Sequence, residues 1–93
     1  MKHYIIVKFK NNYNYKYEIN NIKNIFDEAK KIDGIEGITI KSSNSNSENR
    51  FDLMIEMELT FEALQRFDDS VIHYNWKNNY RKYIENKTIF DCD

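Results

Sequence analysis

The stretch His3-Tyr4-Ile5-Ile6-Val7-Lys8-Phe9 decides how this chain folds. Its centre is β-branched, as strands prefer, and apolar or aromatic side chains occupy both odd and even positions. A strand that is apolar on two faces belongs in the middle of a sheet, covered on both sides. Working outward, Asn11-Asn12-Tyr13-Asn14-Tyr15 reads as a polar loop with aromatic anchors. Ile19, Ile22, Ile25, Phe26, Ala29 and Ile32 then recur at three- and four-residue spacing, which predicts an amphipathic helix over 17–31. Asp33-Gly34 ends it, because glycine takes the left-handed conformation past a helix end without steric cost. A second strand follows over Ile35 to Ser42, with Ile38 and Ile40 on one face and Ile35 and Thr39 on the other.

The polar run Ser43-Asn44-Ser45-Asn46-Ser47 has hairpin length and joins two strands. Beyond it, Phe51, Leu53, Ile55, Met57 and Leu59 alternate with Asp52, Met54, Glu56 and Glu58, a period of two that predicts a third strand. Thr60 is placed to cap a helix through Phe67. Asp68-Asp69-Ser70 interrupts, and Asp69 or Ser70 caps a further helix running to Tyr83-Ile84. Its buried stripe is Ile72 or His73, then Trp76, Tyr80, Tyr83 and Ile84. Lys87 to Cys92 forms the last strand. The order β-α-β-β-α-β, with its second helical region split in two, is the ferredoxin-like α+β arrangement built on an antiparallel sheet. No repeat or boundary divides the chain, so residues 1–93 read as one domain.

Composition narrows the function classes. Fourteen Lys and Arg against fifteen Asp and Glu give a net charge of −1, which argues against a general nucleic-acid or anionic-membrane surface. At 93 residues a monomer buries only about 60–65% of its unfolded surface, so size alone makes a covering second copy an expectation. The single cysteine, Cys92, allows no internal disulfide; the opening apolar run is too short for a signal peptide, and no run approaches the roughly 20 residues of a membrane span. The expectation is a cytoplasmic protein.

Few motifs carry chemistry. No zinc framework, P-loop, dinucleotide fingerprint or nucleophile elbow is present, so no metal or cofactor is expected. Glu56 and Glu58 project to one face of their strand, either as an acid/base pair or, more plainly, as a polar row facing solvent or a partner. The third strand, Arg50 to Glu58, lacks the glycine and second aromatic of an RNA-binding sheet, and its acidic face repels phosphates. His3 on the first strand and His73 in the first turn of the last helix are the two imidazoles able to move protons near neutral pH. If that helix packs on the sheet, both face one cavity; the plainer alternative is two half-buried, hydrogen-bonded histidines.

Taken together, these landmarks resemble the stress-responsive dimeric α/β-barrel family, often called Dabb. Lys2-His3-Tyr4-Ile5-Ile6-Val7-Lys8-Phe9-Lys10 is similar to the family's (K)H-x-(V/I)-x-(F/L)-K-F-K opening. Ile35-Glu36-Gly37-Ile38 resembles its "PGI-x" start of the second strand, with Asp33-Gly34 in place of the usual proline. Ser47 to Leu53 resembles its polar hairpin and "(Y/F)D-L", Phe61-Glu62-Ala63-Leu64 its "S-x-E-x-L" helix, and Ile89-Phe90-Asp91 its terminal "(V/L)-x-F-D". His73 falls on the second histidine of "H-P-x-H".

The resemblance implies a protomer whose sheet packs against a second protomer's sheet, a dimeric α/β barrel with a ligand pocket between sheet and helices. Here that pocket would be lined by His3, Ile5, Val7, Phe67, His73 and Trp76 and would take a small apolar or aromatic molecule. Some relatives are polyketide cyclases, and the related antibiotic-biosynthesis monooxygenases share the architecture. By that likeness a cofactor-free enzyme would use His73 as general base with His3 assisting. Phe67 replaces the cyclases' tyrosine, and Ser70 and Val71 replace the first histidine and proline of their motif, which favours a binding protein over a catalyst. A third reading is a purely structural dimer, its core filled by Trp76, Tyr80 and the first helix. Some family members hold a divalent cation near the dimer interface, but no ligand cluster here prescribes one.

Overall fold

A computed structural model describes all residues, Met1–Asp93. Their order is β1 (Lys2–Phe9), a 3-10 turn (Tyr15–Glu18), α1 (Ile19–Ala29), β2 (Ile35–Ser42), β3 (Leu53–Leu59), α2 (Phe61–Asp68), α3 (Val71–Tyr80), a second 3-10 turn (Arg81–Tyr83) and β4 (Ile84–Cys92). The strands form one antiparallel sheet in the order β2-β3-β1-β4, so β1 is paired along both edges. Ile5 stands opposite Ile55 on one side and Ile89 on the other.

Alternation along β1 sends His3, Ile5, Val7 and Phe9 into the interior and leaves Lys2, Tyr4, Ile6 and Lys8 half-buried on the other face. Leu53, Ile55, Met57 and Leu59 of β3 join the inner face. The helices close over it with Ile22, Phe26 and Ala29 of α1, Ala63 and Phe67 of α2, and Trp76 and Tyr80 of α3, all in one apolar cluster. Phe26 is central: its ring meets Trp76 edge-on at 5.3 Å and Phe67 at 6.0 Å. Burying a side chain of this size stabilises by about 1.5–3 kcal/mol. Among these core groups, burial first and then the nearby Glu18 and Tyr13 charges push the Tyr80 phenol up to about 12.

Local signals set the helix ends. Thr60 Oγ1 accepts from the Ala63 N–H at 3.1 Å, and Ser70 Oγ accepts from the His73 N–H at 3.2 Å, so both helices start at hydroxyl caps. Ser70 Oγ also donates to the Phe67 carbonyl at 2.6 Å, which pins α3 to the end of α2.

Four boundaries differ from the sequence expectation. The first helix starts with a 3-10 turn and is α-helical only over Ile19–Ala29. A bulge at Glu36 between the Ile35–Leu59 and Gly37–Glu58 pairs turns Ile35 to the same side as Ile38, where strict alternation put it on the opposite face. β3 begins at Leu53 rather than Phe51. Asp52 closes the seam there: its Oδ2 accepts from the Phe9 N–H at 2.8 Å and its own N–H donates to the Val7 carbonyl at 2.9 Å. Finally, α3 stops at Tyr80, so Tyr83 and Ile84 are not on its stripe and the last strand starts three residues earlier than Lys87. Tyr83 instead stacks on Tyr13 with 4.0 Å between centroids, and its carbonyl accepts from the Lys10 N–H at 2.8 Å.

Gly34 has φ +93°, and a Cβ there would lie 2.7 Å from Thr60 Oγ1 and 2.8 Å from the Ala63 Cβ. Gly34→Ala is therefore expected to lose about 1–3 kcal/mol, from the strained backbone and the displaced α2 cap together. Urea denaturation of both proteins at one chain concentration measures it.

Candidate functional site

His3 is the single buried polar side chain, 7% exposed. Its place follows from the sheet register. Residues directly opposite in an antiparallel pair share a face, and His3 stands opposite Asp91 of β4. The alternation that buries Ile5 thus also delivers Asp91 to the imidazole, with Nδ1 2.5 Å from the carboxylate Oδ1. A carboxylate only accepts, so Nδ1 carries the proton in this pair. Nε2 has no protein partner, and since no sealed polar side-chain atom lacks one, Nε2 reaches solvent. A carboxylate-oriented imidazole with a free second nitrogen is an arrangement suited to proton abstraction.

His73 sits elsewhere in the chain's architecture, in the first turn of α3. Its ring rests against Phe67 at 5.1 Å, and Nδ1 lies 3.1 Å from the Asp68 carbonyl, to which it donates. It lines a surface groove of about 650 Å³ together with Asp69, Tyr74, Lys77 and Arg81. Trp76 touches a different groove, next to Ile84 and Lys87. Ile5, Val7 and Phe67 are sealed in the core at 3%, 0% and 0% exposure and line none of the principal concavities.

The six side chains predicted for one pocket are therefore spread over a packed interior and two adjoining grooves that share Lys77 and Arg81 as walls. Phe26, Phe67 and Trp76 occupy the space between sheet and helices. Glu56 and Glu58 do share the outer face of β3, where the Glu56 carboxylate holds the Tyr4 phenol above its ordinary value, first by hydrogen bonding. Asp91 is the partner of His3 that the sequence pattern left without a role. The signal for it was topological: antiparallel pairing of the two chain ends sets the third residue opposite the third from last.

The pairing predicts that His3 is held as the Nδ1–H tautomer and that Asp91→Asn abolishes this preference. Ring-nitrogen chemical shifts from long-range proton–nitrogen correlation spectra check it; an Nε2–H tautomer in the parent protein would contradict the assigned hydrogen bond.

A profile of the stress responsive A/B barrel domain family matches residues 1–93. Among solved structures, a dimeric ferredoxin-like protein of unknown function from Thermobifida fusca superposes with a TM-score of 0.79 at 6% identity, over 96% of this chain and 85% of that one. A Dabb family protein with a ferredoxin-like fold from Mesorhizobium loti gives 0.66 at 17% identity, over 99% and 93% of the two chains. The hydroxynitrile lyase of Passiflora edulis gives 0.74 at 12% identity, over 96% and 87%. At such identities the likeness establishes the ferredoxin-like fold. No curated protein matches.

Proposed function

This chain belongs to the stress responsive A/B barrel domain family, and on that premise we propose that it works as a homodimer closed through the outer face of its sheet. The observation carrying this reading is the apolar centre of that face. Ile6 and Met54 stand directly opposite each other, the Tyr4 and Phe90 rings are 6.2 Å apart, and Phe90 is 57% exposed. No element of the chain covers these side chains, since all three helices lie on the other side. Around them stand Lys2, Lys8 and Lys41 with Glu56 and Glu58, so the rim carries both signs of charge, as a self-complementary two-fold interface needs. The similar Thermobifida fusca protein is described as dimeric, which supports the same reading.

Within the dimer the protein acts by binding and assembly rather than as a catalyst. The filled interior supports this: Phe67 brings no hydroxyl, and its ring is fully buried. A small apolar or aromatic ligand between sheet and helices, held by His3, Ile5, Val7, Phe67, His73 and Trp76, enters only when α2 and α3 part from the sheet. The lone Cys92 is in keeping with a cytoplasmic setting.

One observation favours a second reading, a cofactor-free cyclase-like or monooxygenase-like enzyme. The His3–Asp91 pair is a poised base, and it moves the role read from sequence: His3, in place of His73, abstracts the proton. This reading stands or falls with the free Nε2 lone pair that the nitrogen shifts report.

For the dimer, sedimentation equilibrium at micromolar concentration should return twice the 11.3 kDa chain mass. Ile6→Arg, which charges the middle of the face and leaves the inner core untouched, should return a folded monomer by the same measurement and far-UV circular dichroism. A monomeric parent protein, or a dimer that tolerates Ile6→Arg, would overturn the reading.

A further inference from the structure

At the opposite end of β1 from His3, the strand's last residues, the loop after them and the β2–β3 loop enclose a concavity of about 400 Å³. That volume lies within the usual range for small-molecule sites, about 300–1,000 Å³. Its charge is lopsided in a chain whose net charge is −1: Lys8, Lys10 and Lys16 line it against one carboxylate, Asp52. Asp52 Oδ2 is already engaged by the Phe9 N–H at 2.8 Å, and Lys8 Nζ donates to the Arg50 carbonyl at 2.9 Å. Lys10 and Lys16 pair with no acid of the chain, whose lysine ion pairs are Lys30–Asp27 and Lys31–Glu28 at the end of α1.

The floor is rigid and aromatic. Phe9 stacks on Tyr15 at 5.1 Å and packs on Tyr13 at 5.5 Å, while Tyr13 is fixed from behind by Tyr83. Burial holds both phenols above their ordinary value, so their hydroxyls stay protonated donors at neutral pH. In the facing loop, Ser43 Oγ and Ser45 Oγ accept the Ser45 and Ser47 N–H groups, and the Asn44 and Asn46 N–H groups have no acceptor within the protein. Two ammonium groups without counter-ions and two backbone N–H groups without acceptors therefore border the space.

We propose that this concavity binds a small phosphate-bearing anion, Lys10 and Lys16 pairing with the phosphate oxygens and Tyr13 and Tyr15 forming the wall beside it. A phosphate dianion matches two uncompensated ammonium groups, where a carboxylate satisfies one, and its several oxygens suit the surrounding N–H and O–H donors. The site is separate from the His3 and His73 surroundings, and the two lysines that carry it, Lys10 and Lys16, lie beyond β1 in the chain.

Titration of the nitrogen-15-labelled full chain with inorganic phosphate, and separately with phenyl phosphate, at ionic strength held constant with sodium chloride, tests the proposal. Saturable shifts are expected at the amides of 10–16 and 43–46. Tighter binding of phenyl phosphate assigns the site to an aromatic phosphomonoester, and equal binding to the phosphate group alone; both support the site. Lys10→Ala and Lys16→Ala should each weaken binding roughly tenfold, the loss of about one charge-assisted hydrogen bond, with otherwise superimposable spectra. Lys30→Ala, which removes a lysine already paired with Asp27, should leave it unchanged. Shifts that do not saturate, that chloride reproduces, or that survive both Lys10→Ala and Lys16→Ala would overturn it.

Discussion

The rest of the molecule depends on β1 being hydrogen-bonded along both edges. Such a strand has no free edge to expose, and its side chains must alternate between two faces of a continuous sheet. Here one set, His3 to Phe9, meets the helices, and the other, Tyr4 and Ile6 among them, faces away. The inner face is satisfied within the chain by Phe26, Phe67 and Trp76. The outer face is not, and its uncovered apolar centre is the observation on which the proposed homodimer rests.

The same pairing governs the chemistry. Register between β1 and β4 carries an acidic residue near the chain's end to a buried imidazole near its start, 88 positions away in sequence. The His3–Asp91 pair is thus a product of sheet closure. His73 has a different origin: Ser70 caps α3, and the first helical turn then presents the ring to Phe67 and the Asp68 carbonyl. Two histidines positioned by unrelated local causes have no structural reason to converge, and the packed aromatic layer fills the space between sheet and helices that a shared pocket would need.

Much of this architecture is legible in the chain. Period-two alternation in Leu53–Leu59 and three-four spacing around Phe26 each respond to a single nearby surface, so pattern alone recovers β3 and α1 and the ferredoxin-like order of elements. The misplacements share a cause in long-range contacts. Tyr83 and Ile84 continue a helical spacing, but pairing of Phe9 with Ile84 draws the chain into β4 instead. Ile35 violates alternation because Glu36 bulges out of the ladder. The candidate site fared less well for the same reason. That Phe67 and Trp76 would close the interior depends on how three helices settle together, and that Asp91 would meet His3 depends on strand order, neither of which local pattern encodes.

In the proposed homodimer the outer sheet face is an interior surface of the molecule. An isotope-filtered NOE experiment on a mixture of methyl-labelled and unlabelled chains tests it most directly. Intermolecular contacts are expected from the Ile6 and Met54 methyls to aromatic protons of Tyr4 or Phe90 on the other copy. Intermolecular contacts confined to helix residues such as Val71 or Tyr74, or none at concentrations where the chain is folded, would contradict it.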